Sequence, residues 1–332
     1  MSTIQIEIKD GRSQTREVKY HNPLKQAVLT TLSFFDIFNR PLSLKEIKEY
    51  LFRTAASEVD VAIMLKRLQN EGLIQEKNGF WFLRGREKTI NIRKNRTQIS
   101  REKIKRAIHY ARFLKLVPFI KSISIANSLS FYNAKKSSDI DLFIVTNKNR
   151  LWITRTLTAF LLKSLGVKRR KDRNCDPDRF CISFFATTKN LNLKQIYREP
   201  FDPYLSFWIA GLKPLYGIRI FNQFVAKNLW YKKELPNHHY KINKNKIIKQ
   251  NKNLSGFLRF IVEKIINLFG ANSIDKWLYR WQSKMVIEGA DWDEVGIGII
   301  AKRQMLKTHA HDKRQYFREK LEQRLKENLK TV

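Results

Sequence analysis

The spacing of apolar and polar residues changes several times along the 332-residue chain. Residues 3–20 alternate Ile4, Ile6 and Ile8 with polar neighbours and then reach Asp10-Gly11. This predicts a hairpin, or a loosely attached arm, over residues 1–22. From Leu24 to Phe38 the apolar positions Ala27, Val28, Leu32 and Phe35 recur at helical spacing. Ser43-Leu44-Lys45-Glu46 is a capping box and opens a second helix. Ser57-Glu58-Val59-Asp60 opens a third, whose Val61, Met64, Leu65 and Leu68 share one face. Gly72 stops it. Two short apolar runs, Leu73–Glu76 and Phe80–Leu83, then flank Asn78-Gly79, the strongest short hairpin signal.

Residues 85–100 are charged and Asn-rich and read as a linker into a helix over Arg101–Leu116. Strand and helix patterns then alternate. Phe119–Ala126 and Ile140–Val145 are β-branched runs, Leu151–Leu165 is an amphipathic helix closed by Gly166, and Phe180–Phe185 is a further strand. Beyond residue 200 the pattern is helical and aromatic. The Lys- and Asn-rich stretch 232–254 reads as a solvated linker carrying His238 and His239. Leu258–Ile287 forms one or two amphipathic helices; the stretch Leu258–Phe269 fits a membrane surface, with packing against the central domain favoured over it. Val295–Ile300 is a brief strand, and Asp312 caps a charged terminal helix. The expected organisation is α+β: an arm (1–22), a small helical domain with a hairpin (23–96), a central sheet domain (97–200) and a helical C-terminal region (201–332).

Three helices followed by a hairpin resemble a winged helix, a likeness covering about sixty residues. In that family the third helix enters the DNA major groove by its N-terminus. Here that end carries Glu58 and Asp60, which repel phosphate, so a protein partner at this domain is favoured over sequence-specific DNA.

Charge adds a second constraint. The chain has 65 Lys+Arg against 30 Asp+Glu, a net charge of +35. That balance fits an anionic partner such as nucleotide or nucleic acid. It also fits an AT-rich coding bias, since Lys, Asn and Ile are all abundant. The excess is spread, +7 over residues 1–100, +15 over 101–200 and +13 over the remainder, so no dedicated basic tail is present. The densest run is Lys168-Arg169-Arg170-Lys171, followed by Arg173; it fits either a phosphate contact or a solvated turn. Two cysteines, Cys175 and Cys181, make no disulfide framework or trusted zinc pattern. With no apolar leader at Met1–Gln5 and no run of 18 apolar residues, the expectation is a cytoplasmic protein without a transmembrane segment. His309 and His311 read as exposed imidazoles beside a helix cap.

The chemistry-bearing pattern is Asn127-Ser128, ten residues, then Asp139-Ile140-Asp141. Alternation along a strand puts Asp139 and Asp141 on one face. Two such carboxylates repel unless they share a cation or stay in water. Mg2+ is held by one or two carboxylates together with substrate phosphates. The turn at Asn127-Ser128 can offer backbone N–H groups and a hydroxyl to phosphate oxygens.

Over residues 100–190 this constellation resembles the nucleotidyltransferase superfamily of DNA polymerase beta. That family has a hydrophobic strand, Gly-Ser or Gly-Gly, a short spacer, and Asp-hydrophobic-Asp on the next strand. The resemblance implies a magnesium-dependent (or manganese-dependent) nucleotidyltransferase that passes a nucleoside monophosphate from a triphosphate to a hydroxyl. It makes Asp139 and Asp141 the catalytic metal ligands and has Asn127 and Ser128 bind the nucleotide. Two positions depart from the pattern. Asn127 replaces Gly, and Asn is the next most tolerant residue of a left-handed backbone. No third carboxylate lies on Phe180–Phe185, where Ser183 is the expected occupant, with Asp176 and Asp178 upstream as substitutes. A catalytically degenerate nucleotide- or RNA-binding module is therefore the alternative reading.

Overall fold

Asn22 caps α1 (Pro23–Asp36): its side chain accepts from the backbone N–H groups of Leu24 and Lys25, and Pro23 occupies the first helical position. The computed structural model describes residues 22–170, 176–242, 247–249, 254–288, 298–308 and 312–330. The alternating segment at 3–20, Cys175, His309 and His311 lie outside them. Both expected capping boxes form, Ser43 with Glu46 at the head of α2 (Leu44–Glu49) and Ser57 with Asp60 at the head of α3 (Glu58–Asn70). Strands β1 (Ile74–Lys77) and β2 (Phe80–Leu83) pair as a hairpin, with Asn78 (φ 55°) and Gly79 (φ 77°) both left-handed at its tip. An antiparallel bridge between Leu42 and Trp81 extends the pairing.

The charged run at 85–100 is helix rather than linker from residue 89 onward. It begins α4 (Thr89–Leu114), 26 residues long, because its arginines are used for anchoring. Arg93 bonds Glu46 at 2.7 Å and lies over the Phe80 ring, and Arg96 donates to the Phe38 carbonyl at 2.7 Å. A single helix thus joins the N-terminal unit to the sheet.

The remaining elements are β3 (Ile120–Ile125), α5 (Asn127–Ser130), β4 (Ile140–Thr146), α6 (Leu151–Ser164), β5 (Phe180–Thr187), α7 (Pro203–Gly211), β6 (Lys213–Tyr216), α8 (Ile218–Lys227), α9 (Leu254–Leu268), α10 (Ala271–Glu288), β7 (Ile299–Lys302), β8 (Met305–Thr308) and α11 (Arg314–Lys330). Six strands form one mixed sheet in the order β6-β3-β4-β5-β8-β7. β4 and β5 run parallel, and the other neighbours are antiparallel. The region beyond residue 200 is therefore not only helical, since it supplies half of the sheet. β6 and β8 are four residues long and include Lys213-Pro214 and Lys307, too short and too polar for a period-two signal; β7 overlaps the end of the brief strand expected at Val295–Ile300, whose residues 295–297 lie outside the described ones.

The two faces of β4 enter different cores. Ile140, Leu142 and Ile144 pack with residues of α4, α6 and α10, such as Ala107, Trp152 and Leu278. Phe143 and Val145 pack with the N-terminal unit, α7 and α11. His238 is corrected from solvated to buried: it hydrogen-bonds the Tyr231 hydroxyl at 2.9 Å, and burial pushes its pKa down to about 3. Among the described residues no helix is long and apolar enough to cross a membrane.

Gly217 holds the sheet edge. Its φ is 73°, and an added Cβ would sit 1.8 Å from the Lys121 carbonyl oxygen on β3. Gly217→Ala is expected to separate β6 from β3 and to lower unfolding stability by about 2 kcal/mol or more. Urea denaturation compared with wild type checks this.

Candidate active site

β3 ends at Ile125, and the chain turns sharply at Asn127, whose φ is 55°. This is the left-handed conformation that Asn tolerates better than most residues other than Gly. The turn is fixed to the next strand by the Ala126 N–H, which donates to the Asp141 carbonyl at 3.1 Å. The Asn127 side chain then links two groups. Its Oδ1 accepts from Trp208 Nε1 at 2.9 Å, which leaves its amide NH2 to donate to the Asp141 carboxylate. Trp208 is itself held by stacking on Phe184 and by an edge contact with Phe143.

Asp139 and Asp141 project from the head of β4 on one side of the sheet, as alternation requires. With Cys181 they form a group whose ligating atoms all lie within 4.8 Å of one another. Cys181 comes from β5, where it is the direct register partner of Asp141. The third corner therefore holds Cys181, with the expected Ser183 beside it. A register shift follows, between the Asp141 and Phe143 pairs. It brings Phe184 and Ala186 into the core shared with Phe143, while Phe185 packs on the opposite side. Ser183 is buried one step back and hydrogen-bonds the Cys181 thiol.

Asp176 and Asp178 do not take the third corner. Asp176 pairs with Arg170 at 3.1 Å and Asp178 with Lys103 at 2.7 Å. Lys103 also donates to the Ser138 carbonyl at 2.7 Å, so this ion pair locks the loops ahead of β4 and β5 together. Among the described residues, no further carboxylate joins the group.

Electrostatics at the site follow from two like charges in a half-buried place. Burial, then the neighbouring Asp139, pushes the Asp141 carboxyl up to about 7, against hydrogen bonds from Asn127 and Cys181. Burial also raises Asp139, against the charge of Arg169. The Arg169 guanidinium lies 3.2 Å from Asp139 and donates to Cys181 Sγ at 3.4 Å. Of the basic run, Arg169 thus faces the site and Arg170 serves the loop. The Cys181 thiol is pushed up to about 12 by burial and by both aspartates, so it remains protonated.

Two cavities meet at Asn127, Tyr204 and Trp208. One, of about 270 Å³, reaches Phe184, Lys307 and Arg314. The other, of about 220 Å³, is walled by Phe34, Phe38 and Arg40 of the N-terminal unit and by the exposed Ser128. In the first, Arg314 pairs with Asp202 at 3.0 Å and with Asp312 at 2.5 Å. Sequence reasoning missed Cys181 as a site residue and missed the contribution of α1 and α11. The face-sharing of Cys181 on its strand was a usable signal; nothing local marks Phe38 or Arg314. No protein-family model matches the chain, and no curated protein or solved structure does either.

The raised Asp141 carboxyl has a consequence for stability. Below about pH 4 it is protonated in the folded and unfolded chains alike. As pH rises toward 7 the unfolded chain releases this proton first, so the folded state loses stability across that window. Without added metal, wild type is expected to lose stability relative to Asp141→Asn between about pH 4 and 7. Melting temperatures of the two proteins in chelator across this range check the sign.

Proposed function

We propose that the chain is a divalent-metal-dependent nucleotidyltransferase, moving a nucleoside monophosphate from a triphosphate to a hydroxyl acceptor. The observation that carries this reading is the pair Asp139 and Asp141 on one face at the head of β4, tied through Asn127 to the left-handed turn that ends β3. The donor set supports a hard cation. Two carboxylates suit magnesium or manganese, whereas the protonated Cys181 thiol is a poor ligand for either. When bound, such an ion would offset the two negative charges and polarise the phosphates.

The chain's own residues do the rest. Asn127 orients the Asp141 carboxylate, and Asn127 with Ser128 holds the triphosphate. Arg169 supplies positive charge beside Asp139. Tyr204, Trp208 and Phe184 give the adjoining cavity an apolar wall. In the reaction the acceptor oxygen bonds to the α-phosphorus, the bond to the bridging oxygen breaks, and pyrophosphate leaves with that electron pair. The acceptor proton passes to solvent.

One observation favours the second reading, a degenerate nucleotide- or RNA-binding module. Cys181 stands in the third corner, so no carboxylate there takes the acceptor proton. The N-terminal unit we read as winged-helix-like and as a protein contact. Its α3 exposes Val59 (67%) and Ile63 (65%) beside Glu58, a surface unlike a phosphate-binding one.

With magnesium and a nucleoside triphosphate at about a hundred times its dissociation constant, the protein should gain roughly 2.7 kcal/mol, read as a higher melting temperature. Asp139→Asn combined with Asp141→Asn should abolish the gain. No shift with any of the four common triphosphates would contradict a nucleotide site. Labelled triphosphate incubated with lysate then separates the two readings, since the transferase labels an acceptor and the binding module does not.

Cys181→Asp should restore a three-carboxylate corner. Metal affinity measured by calorimetry without nucleotide should rise by about tenfold or more, and Ser183→Asp should do less. Equal effects of the two substitutions would contradict the assignment of the third corner to Cys181.

A further inference from the structure

Helix α9 is mounted with its polar side inward. Arg259 and Glu263, one turn apart and paired at 2.9 Å, face the protein. Arg259 donates to the carbonyls of Lys115 and Ile120, both at 2.5 Å, and Glu263 accepts from the Phe119 N–H at 2.7 Å. These bonds anchor the helix to the end of α4 and the start of β3. The opposite side carries the apolar residues. Phe257 is 60% exposed, Leu268 84% and Phe269, just past the helix end, 73%, and no α9 residue is fully buried. An amphipathic helix on a globular protein ordinarily buries its apolar stripe.

The following helix continues the pattern. α10 is held from inside by Asp275, which accepts from the backbone N–H groups of Trp152 and Ile153. Outward it presents Trp277 and Trp281, 62% and 52% exposed and stacked on each other at 5.9 Å. Twelve of the twenty large exposed apolar side chains among the described residues lie on α9, α10 and the turn between them, a concentration that scattered surface hydrophobics do not give. The exposed charges there are nearly all positive: Lys264, Lys276, Arg280 and Lys284, against Glu288.

We propose that α9 and α10 seat this protein on the surface of a bilayer that carries anionic lipid. An outward apolar stripe, paired tryptophans and a basic rim are the features of an interfacial helix, with rings at headgroup depth and lysines against lipid charge. Charge complementarity decides the occupant: a second copy of this chain would bring the same basic rim against itself, within a protein of net charge +35. The protein lies on the bilayer and does not span it. This holds independently of the proposed chemistry, because no residue of the Asp139–Asp141 site takes part.

The test uses the full-length protein with vesicles of phosphatidylcholine alone, or of phosphatidylcholine with roughly one-third phosphatidylserine. Wild type should co-sediment with the anionic vesicles and stay in solution with the neutral ones. Brominated lipid in the anionic vesicles should quench its tryptophan emission. Phe257→Glu combined with Leu268→Glu should keep the melting temperature and lose binding by about tenfold or more. Three results would overturn the proposal. One is wild type left in solution, unquenched, with the anionic vesicles. Another is binding that neutral vesicles or the double variant match. The third is a lipid-free dimer that the double variant converts to monomer.

Discussion

Two carboxylates on one half-buried face of β4 set the terms for everything around them. Asp139 and Asp141 cannot both stay charged there without relief, because burial removes the water that would screen them. Within the chain the relief comes from several groups at once. Asp141 is held partly protonated, with its carboxyl pushed up to about 7, and Arg169 lies against Asp139. Asn127 and the Cys181 thiol donate hydrogen bonds to Asp141. A divalent cation bound together with phosphates would replace these arrangements by one stronger interaction, and the proposed function amounts to that exchange.

The surrounding fold keeps the pair where this exchange can occur. The Ala126–Asp141 backbone bond and the Asn127 side chain join the ends of β3 and β4, while Trp208 from α7 fixes the Asn127 amide. Lys103 of α4 clamps the loops ahead of β4 and β5. The cleft itself draws on distant parts of the chain, with α1 supplying one wall and α11 another. The N-terminal unit is thus part of the site's enclosure, whatever else its exposed α3 contacts.

Local signals in the sequence carried much of this. The capping boxes, the Asn78-Gly79 hairpin, the strands on either side of Asn127-Ser128 and the shared face of Asp139 and Asp141 all follow from short-range rules, and all are present. The failures have a common physical origin in long-range pairing. Strands β6 and β8 are four residues long and polar at Lys213 and Lys307, so only neighbours in the sheet make them strands. Arg93 and Arg96 looked like linker charges because their partners, Glu46 and the Phe38 carbonyl, are some fifty residues away. Cys181 is a different case, passed over although alternation puts it on the face of Ser183, because the motif calls for a carboxylate; the register shift in β5 beyond it is a feature that no period-two count can detect. His238 gave no sign that Tyr231 would bury with it.

The claim that the carboxylate pair is a phosphate-assisted cation site can be tested without knowing the acceptor. Manganese binding followed by electron paramagnetic resonance, with and without a non-hydrolysable nucleoside triphosphate, reads the site directly. The account predicts weak manganese binding by the protein alone and strong binding once the triphosphate is present, lost in Asp141→Asn. Manganese held equally well by Asp141→Asn, or no gain from the triphosphate, would contradict it.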